Sequence, residues 1–309
     1  MKLKAAIKSM RLRTLPLSMA GVVLGALLAV ADWHVDPLVI VLLLLTTVSL
    51  QILSNLSNEL GDVLRGTDNA ERQGPAYGLN SGDMTVKDMK WLIGIFVVLC
   101  MLFGAAMVLC SWGTLLDIGK PAAQMDWTPT LVLLLGAGAI WAAMKYTLGR
   151  NPYGYRGLGD VYVFIFFGLV SVMGSYLVCS HTMFWRLLLP GAAVGFFSVG
   201  VLNVNNIRDA KTDALNRVTV AIRLGEKRAK IYQTVLIVLG WACMIAYCLL
   251  RWPSWWHWLF VLTLPLYVLH LVGVWKRHDK ELDPMLPLLV MSTFIFCLLA
   301  GLGFVVNLL

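Results

Sequence analysis

Charge is scarce in this 309-residue chain: Asp, Glu, Lys and Arg together make up 14% of it, against about 25% in soluble globular domains. That scarcity argues against a soluble enzyme and against a disordered chain, both of which depend on charged or polar surface. Cysteine is sparse too. Its six copies, Cys100, Cys110, Cys179, Cys243, Cys248 and Cys297, all fall inside apolar runs with no CxxC pair. This argues against a disulfide-stapled secreted module and leaves them as small lipid-compatible fillers. The five histidines, His34, His181, His257, His270 and His278, are scattered and form no zinc pattern. What is plentiful is apolar surface, 59% of residues, with a mean hydropathy of +0.77. The apolar runs are long and continuous, not short and alternating, which points to a helical polytopic membrane protein and away from a β-barrel.

A helix needs about 20 mostly apolar residues to cross a hydrocarbon core of about 30 Å. Such runs predict spans at Leu15–Ala31, Pro37–Leu56, Trp91–Trp112, Thr130–Leu148, Val161–Cys179, Phe184–Val204, Ile231–Leu250, Trp255–Trp275 and Leu286–Leu309. Eight or nine spans fit the sequence, and nine is the reading adopted, with a kink at Pro265 in the eighth. With the N-terminus on the cytoplasmic side, 22 of the 25 Lys and Arg residues lie in inside segments, leaving Lys120, Arg186 and Arg251 outside. That asymmetry follows the positive-inside rule and supports an odd number of spans, with the C-terminus outside. The net charge of +8 therefore faces the anionic leaflet and needs no nucleic acid to explain it. The basic run before Leu15 is followed by no convincing small-residue cleavage site, so it reads as the start of an uncleaved first helix. The whole chain, 1–309, reads as one membrane domain, with polar segments at about 55–90 and 203–230 on the cytoplasmic side.

Those two segments concentrate the polar chemistry. The first runs from Asn55 through Asn58, Glu59, Asp62, Arg65, Gly66 and Asp68 to Glu71 and Arg72. The second carries Asn203, Asn205, Asn206, Arg208, Asp209, Lys211 and Asp213. Each begins at the cytoplasmic end of a span with no turn signal before the first Asn, so each helix is expected to continue into its motif. Asn205, Asp209 and Asp213 then share one helix face, as do Asn58 and Asp62, while Asp68 returns to that face only through a bend at Gly66. Matching Asn-x3-Asp spacing suggests a duplicated four-helix unit plus a ninth helix. Carboxylates at a helix C-terminus oppose its dipole, and a hard divalent cation offsets that conflict. Mg²⁺ takes one or two carboxylates together with phosphate oxygens and water, and Arg and Lys hold the remaining phosphate charge. The pattern therefore reads as a Mg²⁺–diphosphate site with Asn58, Asp62, Asp68, Asn205, Asp209 and Asp213 as candidate ligands. Arg65, Arg72, Lys145 and Arg208 are the candidate diphosphate partners. A charge-balanced solvated loop is the alternative for either segment taken alone. A third inside loop, from Lys145 to Asp160, is rich in Gly and Pro and offers Tyr146, Tyr153 and Arg156 as candidate substrate contacts. The same residues equally suit a tight interfacial connection, and Asp160 an N-cap.

In the segments RLRTLPLSMAGVVLG from Arg11, QILSNLSNELGDVLRGTD from Gln51, PYGYRGLGDVYVFIFFG from Pro152 and NNIRDAKTDALNRVTVAIRLG from Asn205, the chain resembles the UbiA-type membrane prenyltransferase superfamily. Within it, the third segment resembles the branch acting on 1,4-dihydroxy-2-naphthoate in menaquinone synthesis. The resemblance implies nine helices around a central cavity, Mg²⁺, a polyprenyl diphosphate donor and a bacterial inner membrane. It matches Asn58 and Asp62 to the first motif and Asp209 and Asp213 to the second. Glu59 stands where that pattern often has Asp, Gly66 where it often has a further Asp, with Asp68 in its place, and Leu12 where Pro is usual. The implied chemistry is prenylation of the naphthoate ring with loss of CO₂ and diphosphate, with Asp62 and Asp209 catalytic through the metal and Asp160 orienting or deprotonating a ring hydroxyl. Two alternatives stay open: another aromatic acceptor (4-hydroxybenzoate, a chlorin or haem), or a cation-coupled transporter. A transporter would carry its acids near the bilayer midplane, whereas nearly all acids here sit at span ends.

Overall fold

In hydrocarbon every backbone N–H and C=O must be satisfied within its own segment, which makes long helices the solution for apolar runs of this length. The computed structural model describes residues 2–66, 77–116, 125–150, 152, 154, 156–213, 218–251 and 254–306. A short α1 (Leu3–Ser9) and one 3-10 turn lead into α2 (Leu15–Asp32), α3 (Pro37–Leu64), α4 (Val86–Trp112) and α5 (Thr128–Lys145). The next span is composite: α6 (Gly159–Val163), a π-helical stretch (Phe164–Val170) and α7 (Ser171–Ser180). Then come α8 (Leu188–Arg208), the short α9 (Ala210–Asp213) and α10 (Val220–Leu224), and α11 (Glu226–Leu250). A 3-10 helix over Trp255–Thr263 runs into α12 (Leu264–Lys276), and α13 (Met285–Val306) closes the bundle. Among the described residues, nine helical stretches are long and apolar enough to cross a membrane.

The helices overrun the predicted spans where polar residues cap them. α3 continues to Leu64, so Asn58 and Asp62 sit on its last turns. The third span starts at Val86 instead of Trp91, because Thr85 and Asp88 close a capping box: the Asp88 N–H donates to Thr85 Oγ1, and the Thr85 N–H to Asp88 Oδ2, both at 3.1 Å. At Pro265 the structure changes from 3-10 to α-helix, and Pro265 falls in the first turn of α12, where a missing N–H leaves no gap in the ladder.

The innermost spans are α2, α8 and α13, while α5 is mostly lipid-facing, with Leu131, Leu134, Leu135 and Trp141 exposed. Phe296 of α13 is fully buried and meets the rings of Phe197, Trp241, Phe260 and Tyr267, which locks five elements together. At the end away from the two motifs, Asp32 accepts from Arg251 Nη2 at 2.6 Å and from the Tyr176 hydroxyl at 2.8 Å, and the Trp33 indole donates to that hydroxyl. A cavity of about 900 Å³ opens beside this cluster, lined by Trp185, Arg186 and Tyr247 among others.

The π-helical stretch crosses α8 where neither chain has a side chain to separate them. A Cβ on Gly168 would lie 2.5 Å from the Gly191 carbonyl oxygen and from Gly195 Cα. Close approach of small residues is how helices associate in membranes. Gly168→Val is therefore expected to overpack this crossing and remove about 1–3 kcal/mol of stability. A detergent melt should read this as a lowered Tm, and an unchanged Tm would show slack at the contact.

Candidate functional site

The second motif is organised by one buried cation. α8 ends at Arg208, Asp209 adopts a turn conformation, and α9 resumes at Ala210. Helical spacing survives this break, because Asp209 N–H donates to the Asn205 carbonyl at 3.0 Å and Asp213 N–H to the Asp209 carbonyl at 2.9 Å. The Arg208 side chain is 3% exposed. Its Nε donates to Asp209 Oδ1 at 2.8 Å and its Nη2 to Asp209 Oδ2 at 2.6 Å, a bidentate grip. Nη2 also donates to Asn205 Oδ1 at 2.9 Å, and Nη1 to Asp283 Oδ1 at 2.5 Å. Four bonds thus occupy a group that offers five N–H donors. At the surface, Lys211 pairs with Asp279 at 2.5 Å, and that carboxylate holds the ammonium above the usual lysine range. Asp209 and Asp213 are buried, and Asn205 is half-buried.

The first motif lies on α3 against the end of α5. Asp62 is 4% exposed, and Glu59, one turn earlier on the same face, is fully buried. Glu59 Oε1 accepts from the Leu79 N–H at 2.7 Å, while its buried Oε2 has no hydrogen-bond partner among the described residues. Thr147, just past α5, donates to the Ser57 carbonyl at 2.9 Å and to Asn58 Oδ1 at 3.2 Å. Arg65 Nη2 donates to the Gly149 carbonyl at 2.6 Å and contacts that of Arg150 at 3.3 Å. Lys145 folds back over the same glycine. A Cβ on Gly149 would lie 2.9 Å from Lys145 Nζ, and its φ of +94° is one that L side chains rarely adopt. Two of the candidate diphosphate partners, from different helices, therefore converge on Gly149.

The described residues between α5 and α6 reach from α3 to the segment after α9. The Gly154 N–H donates to the Tyr146 carbonyl at 3.0 Å, and the Tyr146 hydroxyl reaches Gly159, which also faces Leu202 of α8. Arg156 is exposed and forms a single parallel bridge with Val218, and Gly157 faces the Arg223 guanidinium. Asp160, at the start of α6, accepts from the Tyr232 hydroxyl of α11 at 3.1 Å. The connection thus touches α3 at one end and the segment after α9 at the other. Asp68, Arg72 and Tyr153 lie outside the described residues.

The donor set suits a hard cation. Asp62, Asp209 and Asp213 are buried oxygen donors at helix C-termini, and Glu59 adds a buried carboxyl group with one oxygen unsatisfied among the described residues. Among the described residues, no three Asp, Glu, His or Cys side chains converge on a single point. Three participants had no signal in the sequence. Thr147 and Tyr232 are ordinary helix-end residues until the fold seats them on Asn58 and Asp160, and Asp283 reaches Arg208 across 75 residues.

Comparison with known proteins matches these features to a described family. A model of the UbiA prenyltransferase family matches residues 18–293. The chain is 40% identical over 302 residues to a 1,4-dihydroxy-2-naphthoate octaprenyltransferase of Escherichia coli (strain K12), covering 97% of this chain and 94% of that protein. Its fold is similar to the apo structure of a UbiA homolog from Aeropyrum pernix K1, with TM-score 0.68, 18% identity and full coverage of both chains. It is also similar to a UbiA homolog from Archaeoglobus fulgidus bound to GPP and Mg²⁺, with TM-score 0.60, 14% identity and coverage of 96% and 99%.

The convergence on Gly149 has a direct test. Gly149→Ala places a methyl group where Lys145 Nζ lies and demands a left-handed backbone of an L residue. The variant is expected to bind inorganic diphosphate about fivefold or more weakly, the scale of about 1 kcal/mol lost at one charged contact. Titration calorimetry measures this, and unchanged affinity would detach Lys145 from the anion site.

Proposed function

The chain belongs to the UbiA prenyltransferase family, and on that footing we propose that it transfers a polyprenyl group from polyprenyl diphosphate to 1,4-dihydroxy-2-naphthoate, releasing CO₂ and diphosphate. The observation that carries the acceptor is the 40% identity to the naphthoate enzyme of E. coli over 97% of the chain. The product is the demethylmenaquinol of menaquinone biosynthesis. Membership in a family of enzymes removes the transporter reading, and the nine apolar helices make the chain a multi-pass membrane protein. We place it in the bacterial inner membrane with its N-terminus and both motifs on the cytoplasmic side, as the distribution of Lys and Arg supports.

The chain's own residues divide the work as follows. Arg65 and Lys145, gathered at Gly149, receive the diphosphate from the side of α3 and α5. Asn58, Asp62 and Asp68 from the first motif and Asn205, Asp209 and Asp213 from the second would hold Mg²⁺, in line with a related fold bound to GPP and Mg²⁺. When bound, the metal neutralises the charge that develops on the diphosphate as it leaves. The C–O bond of the donor breaks, and its electron pair departs with diphosphate. The spans exclude water from the allylic cation left behind. The ring carbon that carries the carboxylate, made electron-rich by the hydroxyl on the neighbouring carbon, then attacks this cation, and the electrons of the breaking C–CO₂ bond restore the aromatic ring. No ring proton has to be removed, so the acid nearest the acceptor acts in orientation. Asp160, held by the Tyr232 hydroxyl, accepts a hydrogen bond from a ring hydroxyl, and Tyr146, Tyr153 and Arg156 are the further candidate contacts for acceptor or donor.

Asp62→Ala and Asp209→Ala are each expected to lower turnover about 100-fold or more, the scale of losing a principal electrostatic group, with the protein still in the membrane. Excess EDTA should abolish transfer and Mg²⁺ should restore it. The assay couples detection of the prenylated quinol with CO₂ release from carboxyl-labelled dihydroxynaphthoate. Near-normal turnover in either variant removes the metal assignment, and prenylation without CO₂ removes the acceptor.

A further inference from the structure

Asp283 stands outside both motifs yet completes the second. It lies just before α13, where Leu282 is fully buried in a small core with Val204 and Ile207 of α8, so its position relative to Arg208 is fixed by packing. Asp283 itself is about one-third exposed, with a side-chain exposure of 35%. Three of the four acceptors around Arg208 are Asn205 Oδ1 and the two Asp209 oxygens, which are the same atoms that the proposed function gives to a divalent cation. The guanidinium therefore stands where positive charge is required before any ion arrives. An incoming ion at those oxygens meets a fixed like charge, which weakens its binding unless that charge is drawn off or balanced. Asp283 is the acceptor available for this, because it already holds Nη1 at 2.5 Å and belongs to neither motif.

We propose that Asp283 is a positioning residue for the second motif: it retains Arg208 while Asn205 and Asp209 exchange the guanidinium for a divalent cation. The inference rests on the Mg²⁺ reading of that site. Arg208 is then an internal counter-ion that keeps the buried carboxylate of Asp209 compensated in the empty enzyme, and Asp283 makes its displacement reversible. No covalent step is involved.

The test is direct binding of Mn²⁺, as a stand-in for Mg²⁺, to the full-length protein in detergent, followed by EPR, with melts in the absence of metal as the control for folding. Asp283→Asn is expected to weaken Mn²⁺ binding about tenfold, since one balancing charge near the ion is lost. Folding should persist, because the side-chain amide of that variant still offers Arg208 an oxygen and Asp209 keeps its bidentate grip. In an Arg208→Gln background the same change should have no further effect, because the charge it balances is gone. Asp283→Glu keeps the charge and should stay within about threefold of the unsubstituted protein. Unchanged affinity in Asp283→Asn, an equal loss in the Arg208→Gln background, or a Glu variant as weak as the Asn variant each overturns the exchange. Absence of saturable Mn²⁺ binding to the unsubstituted protein overturns the cation site itself, and the exchange with it.

Discussion

A guanidinium at 3% exposure has almost no water to solvate it, so its surroundings must be built from protein oxygens. Arg208 meets that demand with Asn205 and Asp209 from its own helix end and Asp283 from the approach to α13. Because the partners come from two elements, the end of α8 cannot shift without breaking an ion pair to its neighbour. The Lys211–Asp279 pair repeats the connection nearer the surface, where high exposure makes it a weak tie by itself. Rigidity of the second motif thus follows from burying a cation that must be fully satisfied, and the carboxylates arrive at fixed positions as a result.

The first motif is held differently. Its ties include backbone carbonyls and a threonine in the connection that follows α5, and the Leu79 N–H that Glu59 accepts. That connection is a strap: it grips α3 through Gly149 and Thr147, then reaches Val218, Arg223 and Tyr232, which follow the second motif, through Arg156, Gly157 and Asp160. The sequence of this strap is rich in glycine and proline.

Much of this was legible in the sequence, for reasons that differ by element. The spans were legible because a bilayer imposes a length on apolar runs. Their ends were not, since α4 begins where Thr85 and Asp88 cap it, and α3 runs on until Arg65. Asn205, Asp209 and Asp213 share a face because their spacing is a backbone property that outlasts the break at Asp209. The π-helical stretch was invisible, since Gly168 signals close packing only when Gly191 and Gly195 are known to face it. Arg208 was read as a phosphate partner from its charge, and only the fold reveals how many carboxylate and amide oxygens already surround it. Asp283, adjacent to a proline and 75 residues away, carried no local sign of that pairing.

The pairing of Asp32 with Arg251 spans 219 residues. A ribosome therefore delivers Asp32 to the end of the bundle remote from the motifs long before its partner exists. During that interval α2 is tethered through Asp32 only to what has already emerged, and Tyr176 becomes available before Arg251 does. Closure of that end must wait until α11 has been threaded, and α13, which packs along α2, comes later still. The order of biosynthesis thus leaves α2 without its α13 neighbour until the end, and a chain stalled before residue 251 would present Asp32 at the tip of α2 without its guanidinium partner.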